Sequence, residues 1–470
     1  MVAPMTDDLS FTSALDLKAR IAAKDISPVE IAESAIKRLN DVEPKLNAFV
    51  TLTEDLALDA ARKAEKAVLD GNDPGLLGGL PVSVKDLIAM EGARLTSGSH
   101  SAADKIAEVD APSVERLKAH GACIVGKTTT SEFGCKAVGD CPLTGITRNP
   151  WNTDKTPGGS SAGAGASVAA GVTPLALGTD GGGSVRIPAS LTGTYTIKPQ
   201  FARVPVYPAS STAMLSHVGP MTRTVRDAAL LLQAIAGFER RDTYSVSEPA
   251  PDFLAACHRP VKGMRVAWSP DYGYARPDPE VVSICEAAAK VFEELGCEVE
   301  TVEDPLGGDP AEIWDAEFYT CIGMAQREAL RSDPGSLDPA VAETLLKAIG
   351  ISADDYFTLV ARRRAFRDRM RQFFERYDML LSPTLPVPAF DAGENLPPGH
   401  EDANIVSWVR YTYPFNLTGH PAASVPAGFT SDGLPVGLQI VSGALREPDI
   451  FAASAAFEEA RPWADKCPPV

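Results

Sequence analysis

Long hydrophobic runs are absent from this sequence. Its 470 residues contain no run of about 18 consecutive apolar residues, the length from which a transmembrane helix is inferred. The N-terminus, MVAPMTDDLS, lacks the basic segment and apolar core of a secretory signal peptide. We therefore predict a cytoplasmic protein with no membrane partner.

Positive charge is also scarce. The chain has 44 Lys and Arg residues against 62 Asp and Glu residues, which gives a formal net charge of −18 at pH 7. A field of this sign repels phosphate groups, so binding of DNA or RNA by bulk electrostatics is disfavoured. We predict no nucleic-acid partner for this chain.

Cysteine and histidine are few and scattered. The eight cysteines include no C-x-x-C pair, and their spacing fits neither a zinc site nor a disulfide framework, so we expect free thiols. None of the six histidines lies in a context that indicates a Ser-His-Asp triad. No cluster of His, Cys and Asp has the spacing of metal ligands, so we predict that the protein uses no metal and no cofactor.

Helix and strand patterns alternate along the chain. The apolar stretches 80–88, 122–128 and 172–177 are typical of buried strands, whereas 112–120 and 161–171 have helical patterns. This alternation predicts an α/β fold in which helices cover both faces of a central sheet. Residues 312–376 are mostly helical in pattern, and we expect this segment to cover the mouth of a pocket.

Two short motifs match known functional signatures but lie in the wrong context. Residues 121–128 fit the phosphate-loop pattern G-x-x-x-x-G-K-T, yet their middle positions, Ala-Cys-Ile-Val, are typical of a core strand. Residues 159–163 fit the nucleophile-elbow pattern G-x-S-x-G, which must follow a buried strand. Here it follows the polar, proline-rich stretch NPWNTDKTPG, so neither motif is interpreted as functional.

Three other features are unusual together. Lys85 interrupts an apolar stretch, and a buried lysine can become a base because burial lowers its pKa. Gly-Gly-Ser-Ser at 158–161 precedes a helix, and Gly-Gly-Gly-Ser occurs at 181–184. Successive glycines can direct backbone N–H groups at an anion, while a terminal serine attacks a carbonyl carbon. By itself, the second run equally fits a tight turn or a phosphate loop.

The sequence resembles the amidase signature family from about residue 80 to 199. The segments that carry the resemblance are GGLPVSVKD, GKTTTSEFG and TPGGSSAGAGASVAAGVTPLALGTDGGGSVRIPASLTGTYTIKP. The resemblance implies a mixed central sheet flanked by helices on both faces, and a Ser–cis-Ser–Lys catalytic triad. It also implies a single domain over 1–470, with a signature core at 80–199 and a helical cover at 310–378.

The resemblance assigns roles to individual residues. It implies that Ser184 is the nucleophile, Ser160 the bridging serine after a cis peptide bond, and Lys85 the base. The implied oxyanion hole is formed by backbone N–H groups of the nucleophile loop, at Gly181, Gly182, Gly183 and Ser184. The implied supporting residues are Ser161, Asp180 and Arg186. The chain departs from the usual family pattern at Ala162, Ala164 and Gly181, which leaves the implied triad intact.

Three functions remain open at this point. The first is an amidase acting on a small-molecule amide, such as a small, aryl or anilide-type amide, with carbamates as further candidates. The second is the amidase subunit of a glutamyl-tRNA(Gln)-type amidotransferase, which works on glutamine with a partner subunit. The third is a non-enzymatic nucleotide-binding protein that uses residues 121–128. A homodimer is the candidate oligomer.

Overall fold

A computed structural model describes residues 9–470. Its helices are α1 (Ala14–Ala23), α2 (Pro28–Leu46), α3 (Glu54–Leu69), α4 (Pro112–Ala119), α5 (Ala162–Ala169), α6 (Arg186–Thr192), α7 (Val225–Ile235), α8 (Phe253–Ala256), α9 (Pro279–Glu294), α10 (Ala311–Ala325), α11 (Arg327–Ser332), α12 (Pro339–Ala348), α13 (Ala353–Arg376), α14 (Pro414–Thr418) and α15 (Glu447–Ala460). Its strands are β1 (Phe49–Leu52), β2 (Pro81–Lys85), β3 (Cys123–Thr128), β4 (Asp140–Cys141), β5 (Gly145–Ile146), β6 (Leu175–Asp180), β7 (Tyr195–Lys198), β8 (His217–Thr222), β9 (Arg265–Trp268), β10 (Glu298–Thr301), β11 (Met379–Pro383), β12 (Ala422–Phe429) and β13 (Pro435–Ser442).

One 11-stranded sheet organises these elements, with the strand order β1-β3-β2-β6-β8-β7-β12-β13-β11-β9-β10. Strands β3, β2 and β6 are mutually parallel neighbours, as are β11, β9 and β10, whereas the strands between β6 and β11 pair antiparallel. Strands β4 and β5 form a separate two-stranded sheet. The predicted fold class, an α/β fold with a mixed central sheet, is confirmed.

Helices pack on both faces of the sheet. On one face, α1, α7, α9 and α15 bury apolar side chains against alternate residues of β2, β6, β12 and β13. On the other face, α5 and α6 pack against β6 and β8, and the helices from α10 to α14 form a second large core. This second core contains the helical segment that the sequence predicted at 312–376.

A local signal accounts for the start of helix α2, and two strand boundaries differ from those predicted. Helix α2 starts at a capping box in which Ser27 accepts a hydrogen bond from a helix N–H and Glu30 accepts one from Ser27 N–H. The strand predicted over 80–88 ends at Lys85, because Asp86 begins a turn. The strand predicted over 172–177 instead begins at Leu175 and continues to Asp180, which brings it directly to the glycine run.

The cysteine prediction is confirmed, because all eight cysteines are free thiols. Within residues 9–470, no helix combines the length and apolar character that spanning a bilayer requires. The expectation that the first residues carry no signal peptide concerns a segment that falls largely outside the described part of the chain.

Candidate active site

Lys85 is the last residue of β2 and is completely buried. Side chains of β2 alternate between the two faces of the sheet: Val82 and Val84 lie in one core, whereas Ser83 lies beside Ser167 of α5. Because Lys85 shares the face of Ser83, its side chain reaches the turn that precedes α5.

Three hydroxyl groups surround the Lys85 ammonium. Nζ lies 2.7 Å from Ser160 Oγ, 2.9 Å from Ser161 Oγ and 2.9 Å from Thr179 Oγ1. Burial lowers the pKa of Lys85 well below its ordinary value because the charged form loses its hydration, and the negative charge of Asp180 acts in the opposite direction. The site therefore destabilises the charged form of Lys85 relative to that of an exposed lysine, and three hydroxyl groups are within hydrogen-bonding distance of its Nζ.

Ser160 lies in a turn that only glycine at the preceding position allows. The Gly159–Ser160 peptide bond is cis. A Cβ atom at Gly159 would lie 2.1 Å from the carbonyl oxygen of Val138, which is closer than any real contact. The turn leads directly into α5 at Ala162, so Ser160 and Ser161 both lie at the start of a buried helix.

Ser184 lies at the end of the glycine run, just before α6, and lines the same cavity as Ser160. Its Oγ makes no hydrogen bond within residues 9–470, and so none to Ser160 Oγ. Catalytic hydrogen bonds are often long in unliganded enzymes and tighten when substrate binds. The structure thus joins Lys85 to Ser160 directly, and brings Ser160 and Ser184 together at one cavity wall.

The glycine loop lines the cavity at Gly181 and Ser184. The N–H groups of Gly181, Gly182 and Ser184 have no hydrogen-bond partner in the described part of the chain, so they are free to bind a substrate oxygen. The structure differs from the prediction at Gly183, whose N–H donates to Asp180 Oδ1 at 2.7 Å. A donor held by a carboxylate is not available to a substrate, so Gly183 supports the loop instead.

Asp180 and Arg186 form a buried ion pair next to this loop. Arg186 is completely buried and donates to both carboxylate oxygens of Asp180, at 3.0 and 2.9 Å. Its remaining donors reach Thr412 O, Gln439 Oε1 and Asn416 Oδ1, each at 2.8 Å. Burial by itself would raise the pKa of Asp180, but the charge and hydrogen bonds of Arg186 hold that pKa well below its usual range.

The cavity beside Ser184 has a volume of about 640 Å³. Its wall near the nucleophile includes Thr179, Gly181, Phe133 and Phe318. The charged residues that line it are Lys105 and Glu108, and both are exposed at the mouth. Among residues 9–470, no charged side chain lines the interior of the cavity.

The two motifs rejected from sequence do not have the structural context that their signatures require. Residues 123–128 form the core strand β3, and the buried Lys127 Nζ pairs with Asp86 Oδ1 at 3.1 Å. No strand directly precedes residues 159–163, because they follow an extended loop from residue 147. These observations agree with the interpretation that neither motif binds phosphate or forms a nucleophile elbow.

Sequence reasoning missed several residues of the site. Thr179 contacts Lys85, Thr412 Oγ1 donates to Gly182 O at 2.6 Å, and Trp314 Nε1 donates to Gly181 O at 2.8 Å. The strand register of β6 could have indicated Thr179, since it lies two residues before the glycine run. Trp314 belongs to the helical segment 312–376 that the sequence analysis expected to cover the pocket mouth, but its contact with the loop was not predicted. Nothing local in the sequence indicates Thr412, and both residues are more than a hundred positions away from the loop in the chain.

Comparisons with known proteins agree with this architecture. A family model described as Amidase matches residues 30–451. An acylamidase of Rhodococcus erythropolis is 38% identical, covering 98% of this chain and 98% of its own length. One subunit of the glutamyl-tRNA(Gln) amidotransferase of a Cyanothece species is 33% identical, covering 97% of this chain and 99% of its own length.

A solved structure shows the same relationship in three dimensions. A bacterial aryl acylamidase of the amidase signature family superposes with a TM-score of 0.91 and 32% sequence identity, over 97% of each chain. The family match and these relatives extend across nearly the whole sequence. The chain therefore belongs to the amidase signature family, and it is a hydrolase that acts on amide C–N bonds.

Proposed function

We propose that this protein is an acylamidase that hydrolyses small, uncharged amides, including aryl and anilide-type amides, through an acyl-enzyme on Ser184. The observation that carries the proposal is the completely buried Lys85, hydrogen-bonded to Ser160 at the wall of the cavity that Ser184 also lines. A buried amine with a lowered pKa can accept a proton near neutral pH, and Ser160 connects it to the nucleophile.

The hydroxyl network supports a direction for this proton transfer. A neutral amine has two N–H donors and one lone pair, which matches three hydroxyl neighbours. Ser161 Oγ already donates to Thr179 O at 3.1 Å, so it can only accept from Lys85. The lone pair of Lys85 is then free to accept the proton of the Ser160 hydroxyl.

The proposed reaction proceeds in two halves. Ser184 Oγ attacks the amide carbonyl carbon as its proton passes to Ser160, and the Ser160 proton passes to Lys85. The N–H groups of Gly181, Gly182 and Ser184 stabilise the oxyanion. Ser160 then protonates the departing amine as the C–N bond breaks, and Lys85 returns its proton to Ser160. Water attacks the acyl-enzyme as its proton passes through Ser160 to Lys85. When the bond between Ser184 Oγ and the acyl carbon breaks, the same proton returns through Ser160 to Ser184 Oγ, and the carboxylic acid is released.

The alternative function, as the glutamine-hydrolysing part of an amidotransferase, meets an electrostatic objection. Free glutamine carries an ammonium and a carboxylate, and burial of either charge is unfavourable unless that charge is paired with an opposite charge as well as hydrogen-bonded. The cavity interior offers no charged side chain within the described residues, since Lys105 and Glu108 lie at its exposed mouth. This favours an uncharged amide over glutamine.

The proposal extends to the setting of the enzyme. We infer that it works in the cytoplasm without metal, cofactor or nucleic acid. The net charge of −18 supports the last point. A homodimer and a single domain over 1–470 remain predictions, which size-exclusion chromatography with light scattering and limited proteolysis would test.

Covalent labelling tests the nucleophile. The wild-type protein is incubated with a fluorophosphonate and the adduct is mapped by peptide mass spectrometry, with Ser184→Ala as the matched blank. We expect the label on Ser184 and none on the variant. A label on Ser161 with Ser184 unmodified would contradict the proposal.

An activity screen tests the substrate class. Uncharged aliphatic amides, anilides, carbamates and free glutamine are compared with the wild-type protein and with Ser184→Ala. We expect hydrolysis of the uncharged amides by the wild type only. Turnover of glutamine at a higher kcat/KM than every uncharged amide would support the amidotransferase alternative instead.

A further inference from the structure

A column of three aromatic rings ends at the cavity. Trp314 stacks on Tyr413 with ring centroids 5.6 Å apart and planes at 28°, and Phe318 stacks on Trp314 at 4.4 Å and 19°. Trp314 and Tyr413 are completely buried. Phe318 is the member of the column that lines the cavity. The apolar end of this stack therefore forms part of the wall beside Ser184.

The nucleophile loop makes room for this column by having no side chains where the rings approach. A Cβ atom at Gly181 would lie 2.8 Å from Phe318 Cε2, and one at Gly182 would lie 2.4 Å from Trp314 Cζ2. Both distances are shorter than real carbon contacts, so the two glycines allow the rings to lie directly on the loop.

A hydrogen bond fixes the column to the loop. Trp314 Nε1 donates to the carbonyl oxygen of Gly181 at 2.8 Å. Tyr319 and Phe318 pack in an edge-to-face arrangement with centroids 5.3 Å apart and planes at 80°, which restricts the Phe318 ring from a second direction. Phe318 is thus a rigid aromatic surface at a fixed position relative to the nucleophile.

We propose that Phe318 is a specificity-determining residue that recognises an aromatic ring of the substrate by stacking. The proposal rests on the amidase function proposed above and goes further by naming the residue that selects aryl amides. Aromatic pairs in offset-stacked or edge-to-face geometry gain interaction energy beyond their burial of apolar area. A substrate ring would add a fourth member at the end of the column. The ring belongs to the acyl or to the amine part of the amide.

Paired substrates test this proposal. Benzamide and cyclohexanecarboxamide form one pair, in which the ring is on the acyl side of the amide. Acetanilide and N-cyclohexylacetamide form the other pair, in which the ring is on the amine side. Cyclohexyl groups have a similar size but no aromatic face. The measured quantity is the ratio of kcat/KM for the aromatic member to that for the cyclohexyl member, in the wild type and in each variant.

Three variants are compared with the wild type. Phe318→Leu removes the aromatic face, Phe133→Leu changes another phenylalanine of the cavity wall, and Phe357→Leu changes an exposed phenylalanine on α13. Folding is checked by circular dichroism and thermal unfolding. Phe318→Met, with a side chain of similar length, replaces Phe318→Leu if that variant does not fold.

We expect Phe318→Leu to lower the kcat/KM ratio about three- to tenfold for one of the two substrate pairs, because the stacking between Phe318 and the substrate ring is lost. The affected pair identifies the side of the amide that carries the ring. Phe357→Leu should leave both ratios unchanged, and Phe133→Leu should change them less than Phe318→Leu does. Unchanged ratios in folded Phe318→Leu, or an equal change in Phe133→Leu, overturn the proposal while leaving the amidase function intact. A wild type that hydrolyses none of the four amides overturns both.

Discussion

Two buried lysines lie at the ends of neighbouring parallel strands, and their surroundings differ. Lys85 ends β2, and Lys127 is the penultimate residue of β3. In the strand register, Lys127 is the partner of Val84, and Lys85 is the partner of Thr128. Partner residues face the same side of the sheet and successive residues face opposite sides, so the Lys85 and Lys127 side chains leave opposite faces. Lys85 meets three hydroxyl groups, whereas Lys127 meets the carboxylate of Asp86.

This difference separates a candidate base from a structural cation. Burial lowers the pKa of both lysines, but Asp86 opposes that shift at Lys127 through its charge and a hydrogen bond. At Lys85 the opposing charge comes from Asp180, whose carboxylate is already paired with Arg186. Burial alone therefore does not make a lysine a base. The lysine must also have no carboxylate paired directly with its amine.

Replacing each lysine by alanine gives the largest expected effects. Lys85→Ala should lower kcat by at least about a thousandfold, the scale of losing a catalytic triad member. Lys127→Ala leaves Asp86 buried without its partner and should lower the free energy of unfolding by about 3 kcal/mol. Steady-state kinetics and urea unfolding on both variants measure the two effects. A folded Lys85→Ala protein with near-normal turnover would show that the proposed triad is wrong.

The pH dependence of the wild type sharpens the comparison. Lys85 must be neutral to accept a proton, so kcat/KM should fall tenfold per pH unit below the pKa of Lys85 and level off above it. Because burial lowers that pKa, the plateau should begin well below pH 10.4, about the value for an exposed lysine. Folded Lys127→Ala should have the same profile. A rate that still rises tenfold per unit near pH 10 would contradict this assignment.

Two matched threonine variants have smaller effects. Thr179 accepts a hydrogen bond from Lys85, and Thr96 Oγ1 donates one to Asp86 beside Lys127. Thr179→Val removes a bond that favours the charged amine, so the acidic limb of the pH profile should move to lower pH and kcat should fall about three- to tenfold.

Thr96→Val is the control for that experiment. It should lower the free energy of unfolding by about 2 kcal/mol, the scale of a hydrogen bond to a charged group, with no shift of the pH profile. Equal shifts of the profile in both threonine variants would mean that the two lysine environments are not functionally distinct.

Chelation has the smallest expected effect. Within residues 9–470, no group of three or more His, Cys, Asp or Glu side chains is arranged to hold a metal ion. The proposed chemistry uses no metal ion at Lys85 or at Lys127, so treatment with EDTA should leave kcat/KM unchanged. Loss of activity that added zinc restores would contradict the proposed mechanism.

Some elements could not be predicted from local sequence, for identifiable reasons. Strand β8 contains Gly219 and Pro220, residues that are unfavourable within a central strand, yet it pairs with β6 on one side and β7 on the other. Helix α6 has only seven residues and includes Pro188 near its start. Both elements are stabilised by packing against distant parts of the chain, which a local pattern does not show.

The sequence by itself determined the alternation of helices and strands, the two glycine–serine runs and the position of one lysine in an apolar strand. These are properties of local spacing and side-chain chemistry. Only the tertiary structure decided that Thr179 reaches Lys85, that Asp86 pairs with Lys127 instead, and that Gly183 N–H is held by Asp180. It also placed Phe318 of α10 on the nucleophile loop. Such contacts depend on strand order, register and helix packing, which join residues that are far apart in the chain.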